Sequence, residues 1–363
     1  MEISDAEIEA VFGGFVGDYT VEPVDPHLRI HSVTGGVYRV RAGDRSAVLK
    51  VVRHGEGATA DGLWGADAEV GARNYWKREW LAFASGLLDG LPGSLRAPRT
   101  LLATEPRPDE AWIWMEDVAG RTGAALGPDD LGTVARALGT TQGGYAAGAA
   151  RLPDEPWLSR GWLRGWVEVC RRSFVPALAS GDGWDDPRIA PLRALRSDAA
   201  ALWDRHEELL LVAESAPPTL CHWDFWPANV LVDGERVVAI DWSQVGIGGL
   251  AHDLDQLTLD PVWMQVLPDA SLDDLESAVL GGYVAGLREA GYDAEPAQVR
   301  RWYAAAAAAR YSWLVGGSPG LAADEAAVAE QERRFGRPFA AISAAKARVV
   351  RRAIDLGEWA LGS

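Results

Sequence analysis

The chain has 363 residues and a formal net charge of −17, which disfavours binding to the phosphate backbone of nucleic acids. It contains no run of about 18 or more apolar residues that would span a membrane, its acidic start lacks an apolar signal core, and its two cysteines are too few for a disulfide framework. We therefore expect a cytoplasmic protein of one large or two modest domains, either a monomer or a homodimer.

The N-terminal part reads as a short helix followed by strands. Ser4 and Glu7 form a capping-box pattern, which predicts the start of a helix at residue 5. Glycine-containing turns, including Thr34-Gly35-Gly36, separate runs of β-branched and apolar residues, which indicates an antiparallel meander. The predicted helix spans 5–12, and the predicted strands span 28–33, 37–41 and 47–52.

Lys50 lies inside the apolar third strand and therefore needs either a partner or an outward face. Aromatic and apolar residues recur at helical spacing over 72–88, and Glu79 lies beside that stripe. We predict Glu79 as the partner of Lys50. Glu69, which falls in a predicted loop, is the alternative, and a solvent-exposed Glu79 also remains open.

Further strands are predicted at 100–103 and 111–115, after which the chain is mostly helical. One helix, over 161–174, places Trp162 and Trp166 on one face; we interpret this stripe as core, with a wall of a ligand site as the alternative. The other predicted helices span 129–147, 190–213, 272–290, 296–316 and 322–357.

The stretch Cys221–Asn229 carries the strongest chemical signal. Asp224 and Asn229 have the spacing of a kinase catalytic loop, in which an Asp orients the attacking hydroxyl and an Asn holds Mg²⁺. An Asp-Gly pair between two β-branched runs then predicts a hairpin that returns the chain to its start. Asn229 and Asp241 should therefore lie at the same open end and be able to share a metal ion.

The pattern His-x-Asp-x-x-x-x-Asn, a hairpin, Ile240-Asp241-Trp242 and then Asp253-Leu254 resembles the aminoglycoside phosphotransferase family, which includes choline and sugar kinases. The resemblance implies an α+β, bilobal protein-kinase-like fold with a small antiparallel-sheet N-lobe and a mostly helical C-lobe. It implies a nucleotide-binding lobe over 1–117 and a catalytic and acceptor-binding lobe over 118–363. The nucleotide would be ATP, with GTP not distinguished.

The same resemblance assigns nucleotide-binding roles to residues on both sides of the lobe boundary. The turn with Gly35 and Gly36 would cover the phosphates, although it departs from the G-x-G-x-x-G pattern of protein kinases. Lys50 would bind the phosphates with Glu79 as its partner. The backbone of the hinge, at Glu116 and Val118, would hydrogen-bond the adenine.

In the catalytic lobe, the resemblance makes Asp224 the residue that accepts or orients the proton of the acceptor hydroxyl. Asn229 and Asp241 would hold Mg²⁺. His222 would support the loop, and Asp253 would brace it through backbone N–H groups, although an acid at a helix start is also favoured by the helix dipole.

The family acts on hydroxylated small molecules such as aminoglycosides and other antibiotics, amino sugars and choline. Trp226, Trp242 and Asp255 are our candidates for acceptor contacts, because indoles and acids beside the catalytic loop suit a sugar or a cation. An antibiotic kinase, such as one for aminoglycosides or other sugar-bearing or nucleoside antibiotics, is the favoured function. An amino-sugar or amino-alcohol kinase and a non-catalytic nucleotide-binding pseudokinase are the alternatives.

Overall fold

The N-terminal part of the protein forms a five-stranded antiparallel sheet. The computed structural model describes residues 3–14, 17–24, 33–54, 65–180 and 182–362. The strands are β1 (Thr20–Pro23), β2 (Thr34–Ala42), β3 (Arg45–Arg53), β4 (Leu95–Arg96), β5 (Thr100–Arg107), β6 (Glu110–Glu116), β7 (Ser159–Arg160), β8 (Pro218–Cys221), β9 (Val230–Asp233), β10 (Arg236–Ala239) and β11 (Gly246–Gly249). The large sheet has the order β1-β2-β3-β6-β5, and two small sheets have the orders β4-β10-β9 and β7-β11-β8.

The central strand β3 has two different faces because side chains alternate along a strand. Ala47, Leu49 and Val51 are buried in a hydrophobic cluster with the N-terminal helix. Val52, on the other face, belongs to the larger cluster that runs through the rest of the protein. Lys50 shares this second face, so the period of the strand directs its ammonium group toward the interior. The predicted division into lobes 1–117 and 118–363 stays a prediction.

The predicted strands over 37–41, 47–52, 100–103 and 111–115 are confirmed by β2, β3, β5 and β6. The strand predicted at 28–33 lies outside the described residues except for Val33, and the pairing of β1 with β2 was not predicted. The prediction of a turn at Thr34-Gly35-Gly36 is wrong, because β2 already begins at Thr34. The pairing of β2 with β3 is merely irregular there, with a shift of register between Thr34 and Gly36. A Cβ at Gly35 would lie 2.9 Å from the Arg53 side chain, so the absence of a Cβ at this position leaves room for Arg53.

Helices dominate the remainder of the chain. They are α1 (Asp5–Phe12), α2 (Arg78–Ala84), α3 (Pro128–Ala146), α4 (Trp162–Ser173), α5 (Val175–Ala179), α6 (Ala190–Arg193), α7 (Arg196–Trp203), α8 (His206–Glu214), α9 (Leu254–Thr258), α10 (Asp260–Trp263), α11 (Leu272–Glu289), α12 (Pro296–Tyr311), α13 (Ser318–Ala323), α14 (Glu325–Phe335) and α15 (Phe339–Leu361). Short 3₁₀ segments cover Leu87–Gly90, Gly123–Ala125, Pro187–Ile189, Pro227–Asn229, Trp242–Gln244 and Ser312–Gly317. Among the described helices, none is long and apolar enough to cross a membrane.

Three predicted helices are shorter or interrupted. The helix expected over 72–88 begins only at Arg78. The buried guanidinium of Arg78 donates hydrogen bonds to backbone carbonyls of the preceding segment, including Arg73 O at 2.8 Å, and so holds that segment in a non-helical conformation. The helix expected over 190–213 is divided, and at one break the His206 ring bonds the Trp203 carbonyl at 2.7 Å. The helix expected over 322–357 is divided in part at Gly336, which has a φ of 62°.

Two helices pack closely enough to fix the base of the loop that follows β8. At the crossing of α3 and α11, a Cβ on Gly139 would lie 2.4 Å from the Tyr283 carbonyl oxygen, so only glycine allows this approach. The crossing puts Gln142 of α3 beside Tyr283, whose hydroxyl donates to the Gln142 amide oxygen. Gln142 in turn donates to Asp253 at 2.9 Å. Helix packing therefore holds Asp253, the residue predicted to brace the loop.

Candidate active site

The loop after β8 is held by side chains that accept hydrogen bonds from its backbone. His222 N and Trp223 N donate to the two carboxylate oxygens of Asp253 at 3.0 and 2.8 Å. Phe225 N donates to Gln256 Oε1 at 2.8 Å. Trp223 has a φ of 65°, a conformation that costs energy in a non-glycine residue and persists where the surroundings enforce it. Asp253 therefore lies where the resemblance implies a bracing residue.

His222 links this loop to the strand that follows the hairpin. Its Nε2 lies 3.0 Å from the Ile240 carbonyl oxygen, and its Nδ1 accepts the backbone N–H of Asp224 at 3.3 Å. Burial lowers the pKa of His222 to about 4, although the charge of Asp241 opposes this shift. His222 is therefore neutral at physiological pH, and its two ring nitrogens link the loop to the end of the hairpin through hydrogen bonds.

The hairpin brings Asn229 and Asp241 to the same end, as predicted. β9 and β10 pair antiparallel, with Asp233 opposite Arg236 at the turn and Val230 opposite Ala239 at the open end. Beyond this end, Ile240 N donates to Asn229 O at 2.9 Å. The turn itself differs from the expected Asp-Gly type, because Gly234 and Glu235 are its central residues and only Gly234 has a positive φ.

Lys50 joins the strand, the helix and the hairpin in one contact. Its Nζ lies 2.6 Å from Glu79 Oε2 and 3.0 Å from Asp241 Oδ1. Burial opposes the charged form of Lys50, but Asp241 and Glu79 outweigh it and raise the pKa of the ammonium group. Burial raises the pKa of Glu79 to about 7 against the attraction of Lys50. The predicted pairing of Lys50 with Glu79 is confirmed as a contact, and Glu69 is not needed to explain it.

Asp224 and Asn229 form the second hydrogen-bonded contact of the site. Asn229 Nδ2 lies 2.7 Å from Asp224 Oδ2 and 2.9 Å from the Asp224 carbonyl oxygen. Burial, together with the negative charge of Asp241, raises the pKa of Asp224 to about 7. A carboxyl group whose pKa is raised in this way is suited to take up a proton.

A cavity of about 660 Å³ connects these residues. Its sheet end is lined by apolar side chains of the large sheet and by the segment predicted as hinge, including Glu116 and Val118. Its middle is lined by the charged residues described above. Gly35 and Gly36 lie in β2 and are not among the described lining residues, so their role over the phosphates stays a prediction.

The oxygen atoms of Asn229 and Asp241 fit Mg²⁺, which prefers oxygen ligands and keeps several positions for water and phosphate. Both side chains line the cavity, and Asp241 keeps 28% of its side chain exposed although its pair partner Lys50 is buried. Its φ of 60° is unusual for a non-glycine residue, so the fold enforces this position of the carboxylate. The described residues contain no cluster of three or more His, Cys, Asp or Glu side chains that could hold a metal.

The three predicted acceptor residues have different positions. Trp226 lines the cavity as predicted. Trp242 is not among the described residues that line the cavity: its ring is buried against His222 with a centroid distance of 4.5 Å, and its Nε1 donates to Ala239 O. Asp255 is not among them either, because it is buried in an ion pair of 2.6 Å with Arg310.

Sequence reasoning missed most of the far end of the cavity. Trp162 and Trp166, interpreted as core with a wall of a ligand site as the alternative, are buried and also line the cavity there, beside Arg310 and Asp260. A signal for Arg310 existed, because an arginine that follows six consecutive alanines in a buried helix needs a partner.

Together, these features define a protein-kinase-like phosphotransferase: the sheet with its inward lysine, the partner glutamate, the braced loop and the aspartate after the hairpin. The chain belongs to the phosphotransferase enzyme family, whose sequence pattern matches residues 29–294. It is therefore a small-molecule kinase that transfers phosphate to an alcohol group, as predicted.

Two solved structures illustrate the fold. Spectinomycin phosphotransferase in its AMP-bound complex has a TM-score of 0.52 and 13% identity, over 94% of this chain and 96% of that chain. Choline kinase from Cryptosporidium parvum Iowa II has a TM-score of 0.52 and 12% identity, over 94% and 93%. No curated protein matches the chain in sequence.

Proposed function

We propose that the protein uses ATP and Mg²⁺ to phosphorylate a hydroxyl group of a small molecule, such as an antibiotic. The observation that carries this proposal is the contact of Lys50 with both Glu79 and Asp241, on the same cavity as the Asp224–Asn229 contact. The AMP-bound complex of the spectinomycin phosphotransferase supports an adenine nucleotide as donor.

In this mechanism the chain mainly positions its substrates and stabilises charge. Lys50 leaves part of its contact with the carboxylates to bind phosphate oxygens, and Glu79 keeps its ammonium group aligned. Asp224 receives a hydrogen bond from the acceptor hydroxyl, orients it toward the γ-phosphorus and takes its proton as the new O–P bond forms, while the bond from the γ-phosphorus to the β–γ bridging oxygen breaks and ADP leaves. Asn229 and Asp241 would hold Mg²⁺, which when bound offsets negative charge on the phosphates.

The test is ATP turnover by the Asp224→Asn variant with a panel of antibiotics, amino sugars and amino alcohols. We expect turnover to fall by about 10²–10⁴-fold, because the amide cannot accept the proton, while nucleotide binding persists. Asp233→Asn, the same change at an exposed position of the hairpin, is the matched control and should leave turnover unchanged. Turnover of Asp224→Asn at the wild-type level, or wild-type turnover in excess chelator, would contradict the proposal.

An amino-alcohol or amino-sugar kinase of metabolism is the second candidate. It is favoured by Asp260, a buried carboxylate that lines the cavity at the end away from the sheet and can receive an amine. The same panel separates the two candidates by the acceptor that turns over fastest.

A further inference from the structure

The end of the cavity away from the sheet has a wall of aromatic carbon. Two of its indole N–H groups are already bonded within the protein: Trp162 Nε1 donates to Gln244 Oε1 at 3.0 Å, and Trp166 Nε1 donates to Arg310 O at 2.9 Å. A sugar hydroxyl against these two rings would find their N–H groups already in use, whereas an apolar ring would gain by burial. The wall comprises Trp162, Trp166, Phe174, Trp226, Trp263 and Tyr311.

One carboxylate interrupts this wall. Asp260 is only 9% exposed and lines the cavity. Its Oδ1 accepts the Tyr311 hydroxyl at 2.8 Å, whereas for its Oδ2 the described residues supply only a long contact of 3.5 Å with Gln256 Nε2. A carboxylate can accept about four hydrogen bonds, so Asp260 retains capacity for a ligand donor.

The charges at this end leave room for a single positive charge. Arg310 and Asp255 form a buried pair of 2.6 Å and cancel each other, which leaves the Asp260 carboxylate. Arg310 itself lines the cavity, so additional ligand cations would face its guanidinium. A polycation would therefore lose the hydration of its further ammonium groups without gaining carboxylate partners.

We propose, on the basis of the function proposed above, that the acceptor is a ring-bearing, largely apolar alcohol with one basic nitrogen, which Asp260 receives as an ammonium group. The ring lies against the aromatic wall, and the hydroxyl lies toward Asp224. A polycationic aminoglycoside fits this end poorly because of its charge, and choline fits it poorly because it leaves the wall uncovered.

The probe is propranolol, a naphthyl ether with one hydroxyl and one amine, compared with its neutral glycol, 3-(1-naphthyloxy)propane-1,2-diol. Titration calorimetry on the full chain without nucleotide is done at about pH 8, where Asp260, whose pKa burial raises to about 7, is mostly ionised. It should give at least about tenfold tighter binding for the amine than for the glycol, as expected for a hydrogen bond to a charged group. Kanamycin and choline should bind more weakly than propranolol. This comparison uses the wild-type protein and needs no variant to fold.

The Asp260→Asn variant then tests the residue. It should weaken propranolol binding about tenfold or more and glycol binding less than about threefold, while the matched Asp185→Asn change at an exposed carboxyl alters neither. Tighter binding of kanamycin or choline than of propranolol, or an equal loss for amine and glycol in Asp260→Asn, would overturn the proposal. Absence of ATP turnover with every acceptor would instead contradict the proposed function, because binding is measured without nucleotide.

Discussion

Two buried ion pairs of the same length lie on this cavity. Lys50 Nζ and Glu79 Oε2 are 2.6 Å apart, and Arg310 Nη1 and Asp255 Oδ1 are also 2.6 Å apart. Lys50 has a further carboxylate contact with the partly exposed Asp241. Arg310 instead donates to the Trp223 carbonyl at 3.1 Å and lies over the Trp162 ring at 4.4 Å from its centroid.

The difference lies in what each cation can do after the pair has formed. An ammonium group is a compact charge with rotatable donors, so Lys50 can exchange carboxylate oxygens for phosphate oxygens at the cavity. A guanidinium is a planar fork, and that of Arg310 is held by a carboxylate, a backbone carbonyl and a ring. The length of an ion pair therefore does not indicate its function, whereas the additional group that the cation contacts does. We propose that Lys50 serves the chemistry, whereas Arg310 holds the loop at Trp223 through its carbonyl.

The largest effect on activity should follow the loss of Lys50. Lys50→Met should lower turnover on the order of 100-fold or more, because a charge aimed at the transferring group is removed. Since burial raises the pKa of Glu79 to about 7, its carboxyl can take up a proton in the variant, and the fold should persist. Steady-state kinetics and circular dichroism measure both effects, with Lys77→Met as the control. An unfolded Lys50→Met protein would mean that both pairs are structural.

Loss of Arg310 should appear mainly as instability. Arg310→Met leaves the Trp223 carbonyl without its donor and Asp255 without its cation. Burial raises the pKa of Asp255 to about 7, so this carboxyl, like that of Glu79, can take up a proton, and the free energy of unfolding should fall by about 1–3 kcal/mol. Urea denaturation measures this change. The double variant Arg310→Met with Asp255→Leu should recover part of the loss, because no buried carboxyl then lacks its partner. A stable Arg310→Met protein with reduced turnover would reverse the contrast with Lys50.

The acid beside the Arg310 pair should make stability depend on pH. Burial raises the pKa of Asp260 to about 7 in the folded protein, compared with about 3.9 in an unfolded chain. The folded state therefore holds this proton more tightly, so the contribution of Asp260 to stability is fully present below about pH 4 and is lost as pH rises to about 7. Asp260→Asn stays neutral and should become progressively more stable than the wild type over this window. Urea unfolding at several pH values measures the difference, and a constant difference would contradict the raised pKa.

The smallest effect should come from a third pair, at the sheet end of the cavity. Arg39 and Asp117 are 2.8 Å apart, but the Arg39 side chain is 35% exposed. Arg39→Met should change the free energy of unfolding by about 1 kcal/mol or less, because water screens an exposed pair. Thermal unfolding measures it, and a loss as large as that of Arg310→Met would show that burial does not separate the three pairs.

Residues set by local pattern were predictable from the sequence. The period of β3 directs Lys50 inward, and the hairpin returns Asp241 to Asn229, because both depend on neighbours within a few residues. The turn at Thr34–Gly36 was wrong for a related reason: glycine permits a turn but also permits the irregular start of β2, and only strand pairing decides between them.

The sequence by itself therefore determined the strand lysine, the catalytic loop and the aspartate that follows its hairpin. The tertiary structure alone decided which nearby acids and indoles face the cavity. Asp255 and Asp260 lie on consecutive short helices, yet Asp255 meets Arg310 across 55 residues of chain while Asp260 lines the cavity. Trp226 and Trp242 are both buried, but only Trp226 is among the described residues that line the cavity, although both adjoin predicted site residues. The physical reason is that exposure to a cavity depends on what packs against a side chain, and those neighbours are distant in sequence.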